Sequence, residues 1–239
     1  MKLALIGDPV IHSRSPQLHR GFLRDANIEG SYDAIRVPHG NGIDVIRRMR
    51  IDEYFGCNVT TPLKEEAMRA CDALTEHAQR AQAVNTILFS KQILGTNTDG
   101  IGARSALEML LDEPLALKRI GVLGTGAAAR AMLAEFSEND AYTYVWGRSQ
   151  ERLDACYTEL GAKPWPFENP PEILVSTLPP NVRLADELIA SCHWADLVMD
   201  ANYGERSTLS RHVEREVHDG ALMLEAQARA SFDFWLSHV

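Results

Sequence analysis

Lys64 and Asp99 stand in two separated polar clusters, Asn58-Val59-Thr60-Thr61-Pro62-Leu63-Lys64 and Gly95-Thr96-Asn97-Thr98-Asp99. An ammonium and a carboxylate held together can pass a proton to or from a reacting oxygen. Downstream, Gly124-Thr125-Gly126-Ala127-Ala128-Ala129 falls between an apolar run and a helical one, the setting in which a glycine turn holds a dinucleotide. Taken singly, Lys64 reads as a surface helix residue and Asp99 as a turn or cap. Taken with the glycine turn, they predict an enzyme that oxidises an alcohol or reduces a ketone.

Each position of the turn has a physical assignment. Gly124 permits the tight bend, and Gly126 lets a pyrophosphate approach the backbone. Ala129 takes the third position, where a small residue lets helix and strand pack closely. Free N–H groups of Thr125, Gly126, Ala127 and Ala128 at the helix start are offered to phosphate. An NAD site would carry Asp or Glu at the tip of the next strand. This chain has Trp146-Gly147-Arg148-Ser149-Gln150-Glu151-Arg152 there. A guanidinium pairs with a 2′-phosphate through its planar fork, so Arg148, with Ser149 and Arg152, favours NADP over NAD.

The elements that must position these groups alternate along the chain. Short apolar or β-branched runs (Lys2–Ile6, Tyr32–Val37, Tyr54–Val59, then Ile120–Leu123, Tyr142–Trp146, Ile173–Ser176 and Leu197–Asp200) are separated by segments with helical spacing. That alternation predicts parallel sheets covered by helices. Ser15-Pro16 and Thr61-Pro62 each read as a helix cap followed by proline. Leu18, Phe22 and Ala26 are expected on one helix face, and Ala83–Phe89 with Gln92–Thr96 as a hairpin or two edge strands. The second half has the rhythm of a Rossmann domain. The last helix carries the stripe Leu224, Ala228, Ser231, Phe232 and Trp235 and is expected to return to the first half. The fold class is therefore α/β with two domains, residues 1–101 plus 222–239 for substrate and 102–221 for cofactor.

Composition narrows the classes. The chain has 239 residues, 45% hydrophobic, with a net charge of −9. So acidic a chain has no general attraction for nucleic acid. Its start is too short for a signal-peptide apolar region, and no apolar stretch reaches membrane-spanning length. Cys57, Cys71, Cys156 and Cys192 form no C-x-x-C pair, and no Cys/His grouping has zinc spacing. No metal is expected, and the four thiols read as reduced in a cytoplasmic protein.

The motifs recur in a recognisable order. His12-Ser13-x-Ser15-Pro16-x-x-His19, Asn58-Val59-Thr60-x-Pro62-x-Lys64, Ala83-Val84-Asn85-Thr86 and Gly95-x-Asn97-Thr98-Asp99-x-x-Gly102 precede the glycine turn and Arg148-Ser149. Gly220-x-x-Met223-Leu224-x-x-Gln227-Ala228 and Phe232-x-x-Trp235 close the chain. Along nearly its whole length this resembles the shikimate dehydrogenase family. The resemblance implies that Ser13 and Ser15, helped by Tyr203, hold a substrate carboxylate. It implies that Thr60, Asn85 and Gln227 bond ring hydroxyls, that Lys64 and Asp99 are the catalytic pair, and that Arg148, Ser149 and Arg152 clamp the 2′-phosphate. The implied reaction is NADPH-dependent reduction of 3-dehydroshikimate in aromatic amino-acid biosynthesis, by a monomer or homodimer whose domains close on substrate and cofactor.

Some positions depart from the family pattern. Arg20 replaces an Asn, Gln82 a Gly, Leu63 a residue often aromatic or His, Gly147 the Asn of Asn-Arg-Thr, and Glu205 a Pro. Ser176-Thr177-Leu178-Pro179 replaces Asn-Ala-Thr-Ser, and the second half is short. No proton-transfer group is lost. Other readings are a quinate/shikimate dehydrogenase with broader substrate or NAD use, a non-catalytic ligand-binding paralogue, and a methylenetetrahydrofolate dehydrogenase. Retention of both Lys64 and Asp99 weighs against the non-catalytic paralogue, and the paired serines favour a small polyhydroxy acid over a folate.

Overall fold

Apolar runs too short for helices become the strands of two six-stranded sheets. The computed structural model describes residues 1–180 and 182–239. The chain divides into two compact units, Met1–Asp99 with Glu225–Val239, and Gly100–Leu224.

The first unit contains β1 (Lys2–Gly7), α1 (Ser15–Asp25), β2 (Ser31–Arg36), α2 (Gly42–Ile51), β3 (Gly56–Val59), α3 (Lys64–Ala70), β4 (Ala73–Leu74), α4 (Glu76–Ala81), β5 (Thr86–Phe89) and β6 (Ile93–Thr96). Its sheet has the order β2-β1-β3-β5-β6-β4. All neighbours are parallel except around β5, which runs antiparallel to both β3 and β6. Alternate residues of β1 face opposite cores, as strand geometry requires. Ala4 and Ile6 pack with Ile46, Met49, Leu63 and Ala67, whereas Leu3 and Leu5 pack with Leu23, Tyr32, Phe232 and Trp235.

The second unit follows with α5 (Asp99–Leu111), β7 (Arg119–Leu123), α6 (Ala127–Glu138), β8 (Tyr142–Trp146), α7 (Gln150–Leu160), β9 (Lys163–Pro164), β10 (Ile173–Ser176), α8 (Asp186–Trp194), β11 (Leu197–Asp200) and β12 (His218–Asp219). Asp99, the first residue of α5, belongs to the first unit. The sheet order β9-β8-β7-β10-β11-β12 is parallel throughout. Numbered within the unit this is 3-2-1-4-5-6, the Rossmann order, whose direction reverses between β7 and β10. Ligands of such sheets bind beyond the strand ends at that reversal, where Gly124 and Ser176-Thr177 stand.

The last helix, α9 (Ala221–Leu236), supplies the stripe read from the sequence. Ala228, Ser231, Phe232 and Trp235 on it are fully buried. Trp235 donates its indole N–H to the Ile87 carbonyl at 2.9 Å, tying α9 to β5 within the first unit.

Two local expectations are corrected. The buried face of α1 is Ser15, His19 and Leu23; Leu18 and Phe22 flank it and Ala26 lies beyond the helix end, exposed. The face is turned because His19, not Phe22, fits beneath Tyr32. Nor do Ser15 and Thr61 cap helices. Arg14 and Leu63 occupy those positions, neither with a side-chain cap bond. The loops after β1 and β3 make their own backbone bonds, Ser13 N–H to Val10 and Leu63 N–H to Thr60, so that α1 begins one residue earlier than a Ser15 cap would set it and α3 two residues later than a Thr61 cap would. Gln82 ends α4 with φ +53°, the left-handed conformation in which glycine is unstrained. This conformation suits the Gly that the resemblance implies at this position.

His19 has an unusual environment. Its ring stacks on Tyr32 with centroids 4.4 Å apart and planes 4° from parallel. Phe22, Phe232 and Trp235 surround it, and among the described residues neither ring nitrogen has a hydrogen-bond partner. Burial pushes its pKa down from 6.5 to about 3. The unfolded chain therefore takes up this proton below pH ~6.5 and the folded chain only near pH 3. The stability that this neutral ring contributes is complete above pH ~6.5 and is lost as pH falls toward 3. We expect about 2 kcal/mol to be gone by pH 5, read by urea denaturation at pH 7.5 and 5. His19→Phe should lose less across that interval than the parent; an equal loss would acquit His19.

Candidate active site

The loops that carry the polar motifs of the first unit converge because of strand direction. Ser13 and Ser15 follow β1, Thr60 and Lys64 follow β3, and Asn97, Thr98 and Asp99 follow β6. All three strands are mutually parallel. Reversed β5 brings its beginning, with Asn85 just before it, to the same end of the sheet, where Val59 N–H bonds the Asn85 carbonyl at 2.8 Å.

Lys64 is the first residue of α3, and Asp99 is the first of α5. Lys64 Nζ lies 2.5 Å from Asp99 Oδ2, with side-chain exposures of 16% and 7%. An ammonium at a helix N-terminus stands at the wrong end of the dipole. Asp99 and the first-turn acids Glu65 and Glu66 offset this. The other Asp99 oxygen, Oδ1, accepts from Asn85 Nδ2 at 2.9 Å. The Asp99 N–H donates to Asn97 Oδ1 at 2.9 Å, which seats the carboxylate at the start of α5. The pair is thus shielded from water and held from two sides, the arrangement needed to give or take a proton at a fixed point.

Around it, Asn85 Nδ2 and Thr98 Oγ1 each lie 3.4 Å from Gln227 Oε1 on α9. Lys64, Asp99, Asn85 and Gln227 are therefore linked by direct hydrogen bonds. Thr60 is half-buried beside them in sequence and bonds Ile6 through its N–H; no side-chain bond joins it to the pair. Ser13 and Ser15 form their own group at the N-terminus of α1. Ser15 N–H and the Ser13 hydroxyl meet at 3.2 Å, and the two hydroxyls also lie 3.2 Å apart. Two hydroxyls at the positive end of an 11-residue helix suit a carboxylate. Tyr203 belongs to the second unit, half-buried on the loop after β11. That loop is built on buried Asp200, which accepts from the N–H groups of Asn202, Thr208 and Leu209.

In the second unit the glycine turn has distinct demands at its two glycines. Gly124 has φ +123°, and a Cβ there would stand 2.2 Å from Thr177 Oγ1, itself bonded to the Leu123 carbonyl at 3.0 Å. Only glycine fits. Gly126 is the reverse case. Its φ of −82° and ψ of −175° are open to any residue, and a Cβ would meet nothing within 4 Å. The protein itself does not require glycine there, so the open space fits a ligand that approaches the backbone. Ala127 and Ala128 begin α6 without an acidic residue in its first turn, leaving N–H groups suited to an anion. Arg148 and Arg152 are exposed and have no ion pair among the described residues. Ser149 caps α7 by accepting from Arg152 N–H at 3.4 Å, so its hydroxyl proton stays available. Gly147 has a local reason: a Cβ would come within 2.5 Å of Thr125 Cγ2.

Gly126→Val should therefore leave thermal stability near that of the parent while weakening NADPH. Overpacking of about 1–3 kcal/mol against the ligand corresponds to a loss on the order of 10-fold or more. Fluorescence titration of NADPH reads this, and unchanged affinity would place the phosphates elsewhere.

Sequence reasoning passed over the second layer behind Asp99, namely Asn58, Thr86, Thr98 and Ser231. Three of these sit inside the quoted motifs. The signal for Ser231 was a hydroxyl in the middle of the apolar stripe of α9.

Comparison with known proteins agrees with this architecture. The sequence model of the shikimate dehydrogenase substrate binding domain matches residues 5–87. The chain is 33% identical over 253 residues to the NADP(+) shikimate dehydrogenase of Bacillus licheniformis, covering 98% of this chain and 91% of that one. It is 32% identical over 255 residues to the protein of the same name from Methanothrix thermoacetophila, covering 97% and 90%. Its structure is similar to shikimate 5-dehydrogenase of Thermus thermophilus solved in complex with NADP(H) and shikimate, with TM-score 0.84, 28% identity, and coverage of 99% and 94%. Full-length similarity of this kind, on a chain with these motifs in this order, shows that the protein belongs to the shikimate dehydrogenase family.

Proposed function

We propose that this protein reversibly reduces 3-dehydroshikimate to shikimate with NADPH, within aromatic amino-acid biosynthesis. The observation that carries this is the shielded Lys64–Asp99 pair, 2.5 Å apart at the end of the first unit's sheet. The residues of the glycine turn fit NADP(H), with Gly126 leaving room for the pyrophosphate and Arg148, Ser149 and Arg152 taking the 2′-phosphate.

When bound, NADPH supplies the hydride. In reduction, the ketone oxygen gains negative charge as its carbon is reduced, and the Lys64 ammonium stabilises that charge and donates a proton. Asp99 holds the ammonium in place and relays protons with it. In oxidation the same pair receives the hydroxyl proton. Ser13 and Ser15 bind the ring carboxylate through their hydroxyls and the N-terminus of α1. Thr60, Asn85 and Gln227 bond the ring hydroxyls. We place the enzyme in the cytoplasm, since its four cysteines are free thiols, the state of reducing compartments.

The test follows nicotinamide absorbance with each substrate in turn: NADP+ with shikimate, NADP+ with quinate, and NADPH with 3-dehydroshikimate. Turnover of the shikimate pair is expected. No turnover with any of these substrates would overturn the assignment.

A further inference from the structure

Asn85 has two distinguishable ends, and the structure fixes which faces where. Its Oδ1 accepts from the Thr98 backbone N–H at 2.9 Å, a group that can only donate. The amide nitrogen must therefore face the other way, donating to Asp99 Oδ1 at 2.9 Å and Thr98 Oγ1 at 3.0 Å. Asn85 Oδ1 also accepts from the Thr86 hydroxyl at 2.9 Å. Behind Thr86 the chain of bonds continues into the core. Asn58 Nδ2 donates to Thr86 Oγ1 at 2.9 Å, and Tyr32 Oη donates to Asn58 Oδ1 at 2.7 Å. The Asn58 orientation is fixed independently, because its Nδ2 also bonds the Asn85 carbonyl, which can only accept. Ser231 braces the same point from α9, 2.7 Å from Thr86 Oγ1 and 3.0 Å from Thr98 Oγ1.

The hydrogen bonds thus run in one direction, from Tyr32 through Asn58, Thr86 and Asn85, and end on the Asp99 carboxylate. Lys64 meets that carboxylate from the opposite side. Thr86 and Ser231 are fully buried, and Asn58 and Asn85 nearly so. In such surroundings each donor strengthens the next, and a missing member leaves its neighbours unsatisfied. Among the described residues, Thr86 is the one side chain that bonds both Asn58 and the Asn85 side-chain amide directly; Ser231 also accepts from Asn58 Nδ2, at 3.1 Å, but reaches Asn85 only through Thr86 or Thr98.

We propose that the Thr86 hydroxyl, braced by Ser231, is a positioning group for the reaction: it orients the Asn85 amide that holds Asp99 against Lys64. This rests on the oxidoreductase assignment above and adds residues that the resemblance gives no role. Thr86 touches neither substrate nor cofactor in this scheme and acts through Asn85.

The test pairs two variants. Thr86→Val keeps the shape and the β-branch suited to β5 but deletes the hydroxyl; Thr86→Ser keeps the hydroxyl and deletes the methyl. Steady-state reduction of 3-dehydroshikimate by NADPH is measured per folded molecule, well below each variant's Tm. Thr86→Val is expected to lower kcat by about 10- to 10²-fold, the scale of a small misplacement of a reacting group, with a smaller change in KM. Thr86→Ser is expected to stay within a few-fold of the parent. A Thr86→Val enzyme as fast as the parent, a loss confined to KM, or a Thr86→Ser enzyme as slow as Thr86→Val would each overturn the proposal. If Thr86→Val does not fold, Ser231→Ala is judged on the same kcat and KM criteria. A parent protein inactive with all the substrates overturns the functional assignment itself, whereas an active parent with an unimpaired Thr86→Val overturns only the positioning role.

Discussion

Replacing Lys64 by alanine is expected to lower kcat by about 10²–10⁴-fold, the range in which positioned acid–base groups contribute. The alkoxide that forms as the ketone is reduced would lose both its nearest positive charge and its proton donor. Water can still protonate it, so activity should not vanish. Asp99 would retain its bond from Asn85 and its seat at the start of α5, so the fold should persist. NADPH binding should be unchanged, because the glycine turn and Arg148 lie in the other unit. Lys64→Arg separates the two tasks. It preserves positive charge, yet a guanidinium does not give up a proton in the working pH range. If charge alone matters, Lys64→Arg should recover much of the loss; if proton donation matters, it should resemble Lys64→Ala. Turnover of Lys64→Ala within a few-fold of the parent would remove Lys64 from the mechanism.

Much of this architecture was legible before any coordinates. Buried parallel strands announce themselves as apolar runs, and β1, β7, β10 and β11 do so clearly. The apolar stripe of α9 identified it as a packed helix. What could not be read depends on neighbours distant in sequence. The two-residue strands β4, β9 and β12 have no periodicity to detect. On α1, apolar spacing favours Phe22, while the space under Tyr32 accepts His19. Ser15-Pro16 and Thr61-Pro62 satisfy the local capping rule, yet the preceding loops make other bonds and the caps fall on Arg14 and Leu63. Within the site, the side chains that bond Asp99 directly could be guessed from their chemistry. Ser231 stands 133 residues from Thr98, which it touches, and no local pattern connects them.

Arg148→Ala is expected to weaken NADPH by about 10²-fold, the worth of one or two charge-assisted hydrogen bonds, and to leave NADH nearly unchanged. The reasoning starts at the end of β8, where a Rossmann strand tip meets the adenine ribose. An acid there would accept from a 2′-hydroxyl and repel a 2′-phosphate. This chain offers Arg148 instead, with Ser149 beside it and Arg152 in the first turn of α7. Because neither arginine is ion-paired among the described residues, no internal salt bridge must break before a phosphate is engaged. Because both are exposed, water and salt screen the contact, so the loss should shrink as ionic strength rises. Arg152→Ala should cost less, since Arg148 remains at the tip. Titration of both dinucleotides at low and high salt separates a phosphate contact from a general one. Equal losses for NADPH and NADH would mean that Arg148 serves the adenine or the fold rather than the phosphate, and the preference for NADP would then need a different source.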